Sequence, residues 1–270
     1  MNKEKSIDNK AASSIPSSGS KGRLTVVGAG PGDVDLITLK AIKSIESADV
    51  ILYDALINEA LLKYASSSAE LIFVGKRKGC YAFQQEQINE LIVSKAKNHG
   101  HVVRLKGGDP FIFGRGAEEI DYARQFGLET FVVPGISSAV AVPAYLGIPL
   151  TKRNASESFW VITGTTKNHQ LSSDVALAAK STATVVILMG MGKLSEIVRI
   201  FSEENKQDTA IAIIQNGTKE NENAGIGTIE TISDIVAEKE LKNPAIIVIG
   251  DVVKKRAVLT SIYKEVNQEL

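Results

Sequence analysis

Short apolar runs rich in β-favouring residues alternate with longer amphipathic stretches along the chain from Leu24 onward. Such short runs are typical of buried strands, whereas apolar positions three or four residues apart are typical of helices that pack against a sheet. The alternation therefore predicts an α/β fold in which a parallel sheet is covered by helices.

Pro134 and Gly135 separate two blocks of this pattern. Proline lacks the amide hydrogen that a sheet needs and glycine frees the backbone to turn, so we expect a domain boundary there. We predict two α/β domains over residues 23–134 and 135–258, between a disordered tail over residues 1–22 and a C-terminal tail over residues 259–270. The first block contains the predicted strands Leu24–Val27, Val50–Tyr53, Leu71–Val74, Val102–Leu105 and Thr130–Val133 and the predicted helices Leu36–Ser47 and Gln87–Asn98. The second block contains the predicted strands Phe159–Thr163, Thr184–Met189, Thr209–Ile214, Gly225–Ile229 and Ala245–Ile249.

Composition excludes several classes of protein. The 31 basic residues balance the 31 acidic residues, so no overall field attracts the chain to nucleic acid or to an anionic membrane. The apolar runs are too short to span a bilayer, and the first 22 residues lack the apolar stretch of a secretory signal. Cys80 is the single cysteine, and no cysteine–histidine cluster has the spacing of a metal site. We expect a cytoplasmic, metal-free protein that binds neither nucleic acid nor membrane.

A glycine-rich turn, GAGPGD over residues 28–33, follows the first predicted strand. Glycine lets a ligand approach the backbone closely. A dinucleotide-binding turn reads G-x-G-x-x-G, whereas here the third glycine comes one residue early and Pro31 removes an amide. Asp54 follows the second strand roughly where such a fold places its ribose carboxylate. NAD binding and a turn without a ligand therefore both stay open at this point.

A second loop, RLKGGDPFIFGRGAEE over residues 104–119, combines glycines, acids and cations directly after a strand. Gly107 and Gly108 can expose the backbone to a ligand. Asp109 can accept hydrogen bonds from hydroxyl or ammonium groups, and Arg115 offers a planar fork for carboxylates. The loop therefore suits a small polar ligand.

Together these motifs resemble those of the tetrapyrrole methylases. The matching segments are VGAGPGD, YD, VGKR, RLKGGDPFIFGRG, VPGISSA and GIPLT-x-R, and the resemblance covers about residues 23–255. Phe111 to Gly116 resemble in particular the branch that methylates uroporphyrinogen III. The resemblance implies two α/β domains with S-adenosylmethionine (SAM) in the cleft between them, and a homodimer.

The resemblance also implies roles for single residues. The positions that contact SAM in the family are matched by Pro31, Gly107, Gly108, Asp109, Ile112, Ser137, Ser138, Met189 and Gly217. Asp54 and Lys76 stand where the family has a proton acceptor and a proton donor, and Arg115 joins them as a catalytic candidate. The positions associated with the tetrapyrrole are matched by Arg115, Glu118, Arg153 and Met189. Because uroporphyrinogen carries several carboxylates, we interpret the cations in and beside the motifs as a local anion site: Lys76, Arg77, Lys78, Arg104, Lys106, Arg115, Lys152 and Arg153. Taken singly, such an Asp is more often a helix cap, such a Lys a solvated charge and such a Met part of a core.

Four positions depart from the family pattern. Ala55, Tyr81, Lys152 and Thr165 stand where many relatives carry Arg, His, His and His respectively. Because no motif of this chain contains histidine, we infer that imidazole is dispensable for its chemistry.

The expected reaction is methylation of uroporphyrinogen III at C2 and then at C7, which gives precorrin-2 by way of precorrin-1. This product feeds sirohaem or cobalamin synthesis. The alternatives are a methylase of a later corrinoid precursor, a Rossmann enzyme dependent on NAD, and a tetrapyrrole-binding protein without catalytic activity.

Overall fold

The computed structural model describes residues 22–75 and 83–256. The first half contains the strands β1 (Arg23–Gly28), β2 (Val50–Tyr53), β3 (Glu70–Phe73), β4 (His101–Lys106) and β5 (Glu129–Val133) and the helices α1 (Leu39–Glu46), α2 (Gln85–His99) and α3 (Gly116–Gln125). The second half contains α4 (Ser138–Tyr145), β6 (Phe159–Thr163), α5 (Asp174–Lys180), β7 (Thr184–Leu188), α6 (Leu194–Glu203), β8 (Ala210–Gln215), β9 (Asn223–Thr228), α7 (Ile232–Glu238) and β10 (Ala245–Ile249). Short 3-10 helices cover Val34–Leu36, Glu59–Tyr64, Met191–Lys193 and Asp251–Lys255. The expected tails, apart from Gly22, lie outside the described residues.

The first sheet is parallel throughout, with the strand order β3-β2-β4-β1-β5. Its central strands β1 and β4 are buried almost completely, because helices cover both faces of a parallel sheet. The carboxyl ends of all five strands point to one edge, where ligands of α/β proteins bind. The fold class predicted from the sequence is confirmed, and this edge positions the site.

The second sheet is mixed, which corrects the prediction of a parallel sheet for this half. Its order is β6-β7-β10-β8-β9, and only the pair β6–β7 is parallel. The connection between β8 and β9 covers only residues 216–222, too short for the crossover that parallel neighbours need, so these strands pair antiparallel. The strands β8 and β10 are buried along nearly their whole length, as parallel strands usually are, so their apolar runs do not reveal that they pair antiparallel.

Helix α1 begins three residues later than the pattern indicates. Ile37 and Thr38 have extended backbone angles, and the Thr38 hydroxyl caps the helix by accepting a hydrogen bond from the Ala41 amide at 3.1 Å. The apolar spacing continues through the preceding 3-10 turn, so it did not show where the helix starts.

Hydrogen bonds connect the two halves of the chain. The Asp33 amide donates to the Thr218 hydroxyl at 3.1 Å, and the Tyr145 hydroxyl donates to Asp33 Oδ2 at 2.9 Å. Helix α4 itself packs on the second sheet, where Val142 and Leu146 share a core with Val186. Within the described ranges, no helix has both the length and the apolarity to cross a bilayer.

Candidate active site

A cavity of about 390 Å³ lies between the two halves of the chain. Its volume falls in the range of about 300–1,000 Å³ that is common for sites of small molecules and cofactors. The first half contributes the ends of β2 and β4 and the loops that follow β1 and β4. The second half contributes the start of α4, the end of β7 and the loop after β8.

The structure brings together most of the residues that the sequence singled out. The residues of that set that line the cavity are Pro31, Asp54, Gly107, Gly108, Asp109, Ile112, Arg115, Ser137, Ser138, Met189 and Gly217. All nine cofactor candidates are among them. Their common placement agrees with a cofactor site between the halves.

Three glycine loops meet on the side of the first sheet. Gly30 and Gly108 form an isolated β-bridge, with the Gly108 amide donating to the Gly30 carbonyl at 2.7 Å. A Cβ on Gly28 would lie 2.5 Å from the Gly135 nitrogen, so the loop after β1 and the loop after β5 contact each other through their backbones. These glycines are therefore required for the packing of the loops. A Cβ on Gly108 would meet nothing closer than 3.8 Å, so its own backbone stays open to the cavity.

Asp109 ties two of these loops together. Its Oδ1 accepts from the Phe111 amide at 2.8 Å and its Oδ2 accepts from the Gly135 amide at 3.0 Å. Each carboxylate oxygen has a second lone pair, so Asp109 can still accept a hydrogen bond from a ligand. The acid thus shapes the cavity wall as well as lining it.

The second half supplies an apolar side chain, Met189, and the N-terminal end of α4 to the cavity. Met189 is half exposed at the end of β7 with a left-handed backbone angle (φ 57°), and the Thr165 hydroxyl donates to its carbonyl at 2.9 Å. Thr165, a departure from the family pattern, thereby fixes this bend. Ser137 caps α4 by accepting from the Ala139 amide at 3.2 Å.

The Asp54 carboxylate is held at both oxygens on the edge of the cavity. Oδ1 accepts from the Leu56 amide at 3.0 Å, and Oδ2 lies 3.3 Å from Arg104 Nη2. About a fifth of the Asp54 side chain remains exposed (21%). A charged acceptor is therefore presented to the cavity in a fixed orientation.

A buried cluster of charges lies behind Asp54. Glu119 Oε1 accepts from Lys106 Nζ at 2.9 Å, from Arg104 Nε at 3.2 Å and from Gln85 Nε2 at 3.2 Å. Burial lowers the pKa of the Lys106 ammonium and the neighbouring Arg104 lowers it further, while the Glu119 carboxylate opposes the shift. Arg104, Lys106 and Gln85 also line the cavity.

Sequence reasoning missed Glu119 and Gln85 and interpreted Arg104 and Lys106 as part of an anion site. The structure shows both cations buried and paired with Glu119. The sequence does contain a sign that these cations are buried, because successive side chains of a strand point to opposite faces. Val102, Arg104 and Lys106 share a face, so two cations occupy positions that continue an apolar row.

Arg115 and Glu118 form an exposed, bidentate ion pair at the rim. Arg115 Nη2 lies 2.6 Å from Glu118 Oε2, and Arg115 Nε lies 3.0 Å from Glu118 Oε1. The hydrogen bond to Glu118 raises the pKa of Arg115, and the same bond lowers the pKa of Glu118. A carboxylate that binds Arg115 must share it with Glu118.

Two further predicted residues are not placed in the cavity. Arg153 is exposed on the loop between α4 and β6 and is not among the residues that line the cavity. Lys76 lies outside the described residues, as does Tyr81. Within 22–75 and 83–256, no group of three His, Cys, Asp or Glu side chains comes close enough to hold a metal ion.

Comparisons with known proteins identify the family of this chain. The uroporphyrinogen-III C-methyltransferase of Methanocaldococcus jannaschii is 46% identical over 234 residues, which cover 86% of this chain and 97% of that protein. The enzyme of the same description from Priestia megaterium is 46% identical over 235 residues, 86% of this chain and 98% of its own. The crystal structure of uroporphyrin-III C-methyltransferase from Thermus thermophilus complexed with S-adenyl homocysteine superposes with a TM-score of 0.75 at 34% identity, covering 87% of this chain and all of that one. The family model described as tetrapyrrole (corrin/porphyrin) methylases matches residues 23–233, and the chain belongs to this family.

Proposed function

We propose that this protein transfers methyl groups from SAM to uroporphyrinogen III, first at C2 and then at C7, and so forms precorrin-2 by way of precorrin-1. The product serves sirohaem synthesis, cobalamin synthesis or both. The observation that carries the proposal is the cavity between the two halves, into which the family motifs of both halves converge. The names of the relatives identify the tetrapyrrole and favour it over a later corrinoid precursor or a nicotinamide cofactor.

The residues around the cavity fit SAM by their chemistry. Open backbone at Gly108 and the capped start of α4 at Ser137 and Ser138 offer polar groups to an amino acid moiety. The half-exposed side chains of Ile112 and Met189 offer apolar surface to a purine ring. The bound cofactor supplies a methyl group already activated on a sulfonium, so the protein's part is to align and to shield the reactants.

Asp54 is the proposed proton acceptor. Methylation of a pyrrole carbon leaves the ring positively charged, and loss of a proton from the tetrapyrrole restores a neutral product. The Asp54 carboxylate is charged, faces the cavity and retains free lone pairs beside its contacts with Leu56 and Arg104. Lys76 is the proposed proton donor on the strength of the motif alone.

The charged side chains at the rim of the cavity are the proposed binding site for the carboxylates of the tetrapyrrole. Uroporphyrinogen III is a polycarboxylate, and an arginine fork binds carboxylates in pairs of parallel hydrogen bonds. Arg115 supplies such a fork, with Glu118 as its orienting partner and Met189 as an apolar neighbour in the cavity wall. Arg153, exposed on its loop, would have to reach the outer carboxylates of the tetrapyrrole.

The decisive experiment is anaerobic incubation of the pure protein with uroporphyrinogen III and SAM. Mass spectrometry of the tetrapyrrole is expected to show two added methyl groups, with matching release of S-adenosylhomocysteine. Methylation of a corrinoid instead of uroporphyrinogen III would identify the nearest alternative. Tetrapyrrole binding without release of S-adenosylhomocysteine would identify a binding protein without catalytic activity.

Asp54→Asn tests the acceptor role. The amide keeps the shape of the side chain but cannot take up the proton, so we expect SAM affinity to stay within about twofold while turnover falls roughly 100-fold, in the range typical of general bases. Asp121→Asn, an exposed position on α3, is the control with the same change of charge. Turnover of Asp54→Asn equal to that of Asp121→Asn would remove Asp54 from the mechanism.

Dimerisation and location are further proposals. Val140 and Phe159 are exposed apolar side chains on one groove of the second half, a surface that a second copy of the chain could cover. Light scattering at a range of concentrations is expected to give the mass of a homodimer.

The cytoplasmic location and the lack of nucleic-acid and membrane partners stay predictions from the sequence.

A further inference from the structure

A continuous chain of charged contacts runs from the core of the first half to the cavity. Glu119 on α3 holds Arg104 Nε at 3.2 Å, and the same guanidinium reaches Asp54 Oδ2 with Nη2 at 3.3 Å. Arg104 is further fixed by donating from Nη1 to the Leu105 carbonyl at 2.9 Å. The planar guanidinium thus bridges a buried acid and the acid at the cavity edge.

The fold explains why these groups meet. Leu52 lies opposite Arg104 in the parallel register of β2 and β4, and Asp54 follows two residues further along the same face, within reach of the long Arg104 side chain. Glu119 lies on the buried face of α3, next to Ile120, and covers this part of the sheet. Three chain segments, the end of β2, β4 and α3, therefore have to be in place before the contacts form.

A gain in the free energy of folding does not explain why Glu119 is buried. Its side chain is fully buried (0% exposed), and its Oε2 has no hydrogen-bond partner among the described residues. Burying a carboxylate costs free energy, and well-packed apolar residues often stabilise a core as well as a buried ion pair does. A buried acid with one oxygen left without a partner, on a chain of contacts that ends at the cavity, therefore points to a role in the site.

We propose that Glu119 and Arg104 are positioning residues that act through Asp54. Glu119 fixes the guanidinium, and the guanidinium holds Asp54 Oδ2 while the Leu56 amide holds Oδ1. The carboxylate is then presented to the methylated ring in one orientation. This inference rests on the proposed role of Asp54 in methyl transfer.

The test compares Glu119→Gln, Asp54→Asn and the double variant, with Asp121→Asn as the control on the exposed face of the same helix. SAM affinity and the thermal midpoint show that each protein is folded, and release of S-adenosylhomocysteine with uroporphyrinogen III gives kcat. We expect Glu119→Gln to bind SAM within about twofold of wild type and to lose roughly 100-fold in kcat, as a small misplacement of a reacting group can. The double variant is expected to be no slower than Asp54→Asn, because Glu119 acts only through that residue.

Losses that multiply in the double variant would overturn the proposal, as would a kcat of Glu119→Gln equal to that of Asp121→Asn. If Glu119→Gln does not fold, Arg104→Lys is compared with Asp54→Asn and with their double variant in the same way, because lysine keeps the charge but lacks the planar fork whose Nε and Nη2 contact Glu119 and Asp54. Failure of both variants to fold would assign the cluster to stability and overturn the proposal as well. Unchanged turnover of Asp54→Asn refutes the acceptor role itself, and lack of methylation by wild type refutes the proposed function.

Discussion

Asp109→Asn tests whether one carboxylate sets the shape of the cavity wall. Both oxygens of Asp109 accept from backbone amides, Phe111 at 2.8 Å and Gly135 at 3.0 Å, and an asparagine has only one acceptor oxygen. Its NH₂ group must therefore face one of the two amides, which loses its partner. A hydrogen bond to a charged group contributes about 1.5–3 kcal/mol, so we expect the free energy of unfolding to fall by roughly 2 kcal/mol. For a chain of this size that corresponds to a lower thermal midpoint by about 4–8 °C.

The same substitution is expected to weaken cofactor binding, because the loops that Asp109 joins both line the cavity. Thermal unfolding would be followed by circular dichroism with and without SAM, and the SAM affinity by calorimetry. Asp121→Asn, which changes the same charge on an exposed helix face, is the control and should match wild type. A thermal midpoint and a SAM affinity of Asp109→Asn that both equal those of the control would show that Asp109 does not hold the cavity wall in shape.

Two further predictions concern other parts of the fold. Tyr145→Phe removes the hydroxyl that donates to Asp33 across the two halves, and it should raise the SAM dissociation constant roughly tenfold, the equivalent of about 1.4 kcal/mol. Tyr122→Phe, a partly buried position on α3 that does not line the cavity, is the control, and equal affinities of the two variants would show that the contact with Asp33 does not support SAM binding. Burial lowers the pKa of His101 below its usual 6.5, so the unfolded chain binds a proton more readily and the protein loses stability as the pH falls below 6.5. His101→Gln should therefore lose less stability than wild type between about pH 7 and pH 5, and an identical pH dependence of the two proteins would contradict this.

Much of the site can be predicted from the sequence, because its residues lie in short motifs that directly follow strands. In a parallel sheet the residues after each strand meet at one edge, and Pro31, Asp54 and Gly108, which follow β1, β2 and β4, lie together in the cavity wall. The resemblance to the tetrapyrrole methylases supplied the residues of the second half, such as Met189 and Gly217, which no pattern of spacing links to the first half.

Apolar runs are enough to predict the α/β class and the positions of most strands, because buried strands require such runs whatever their partners are. The three-dimensional structure was needed to show which strands of the second half are antiparallel and where α1 begins, since both depend on neighbouring strands and on capping side chains. It also decided that Arg104 and Lys106 pair with Glu119 in the interior instead of facing an anion in solvent. That outcome rests on contacts between side chains on separate elements, and the free energy of a buried charge depends on such partners rather than on its place in the sequence.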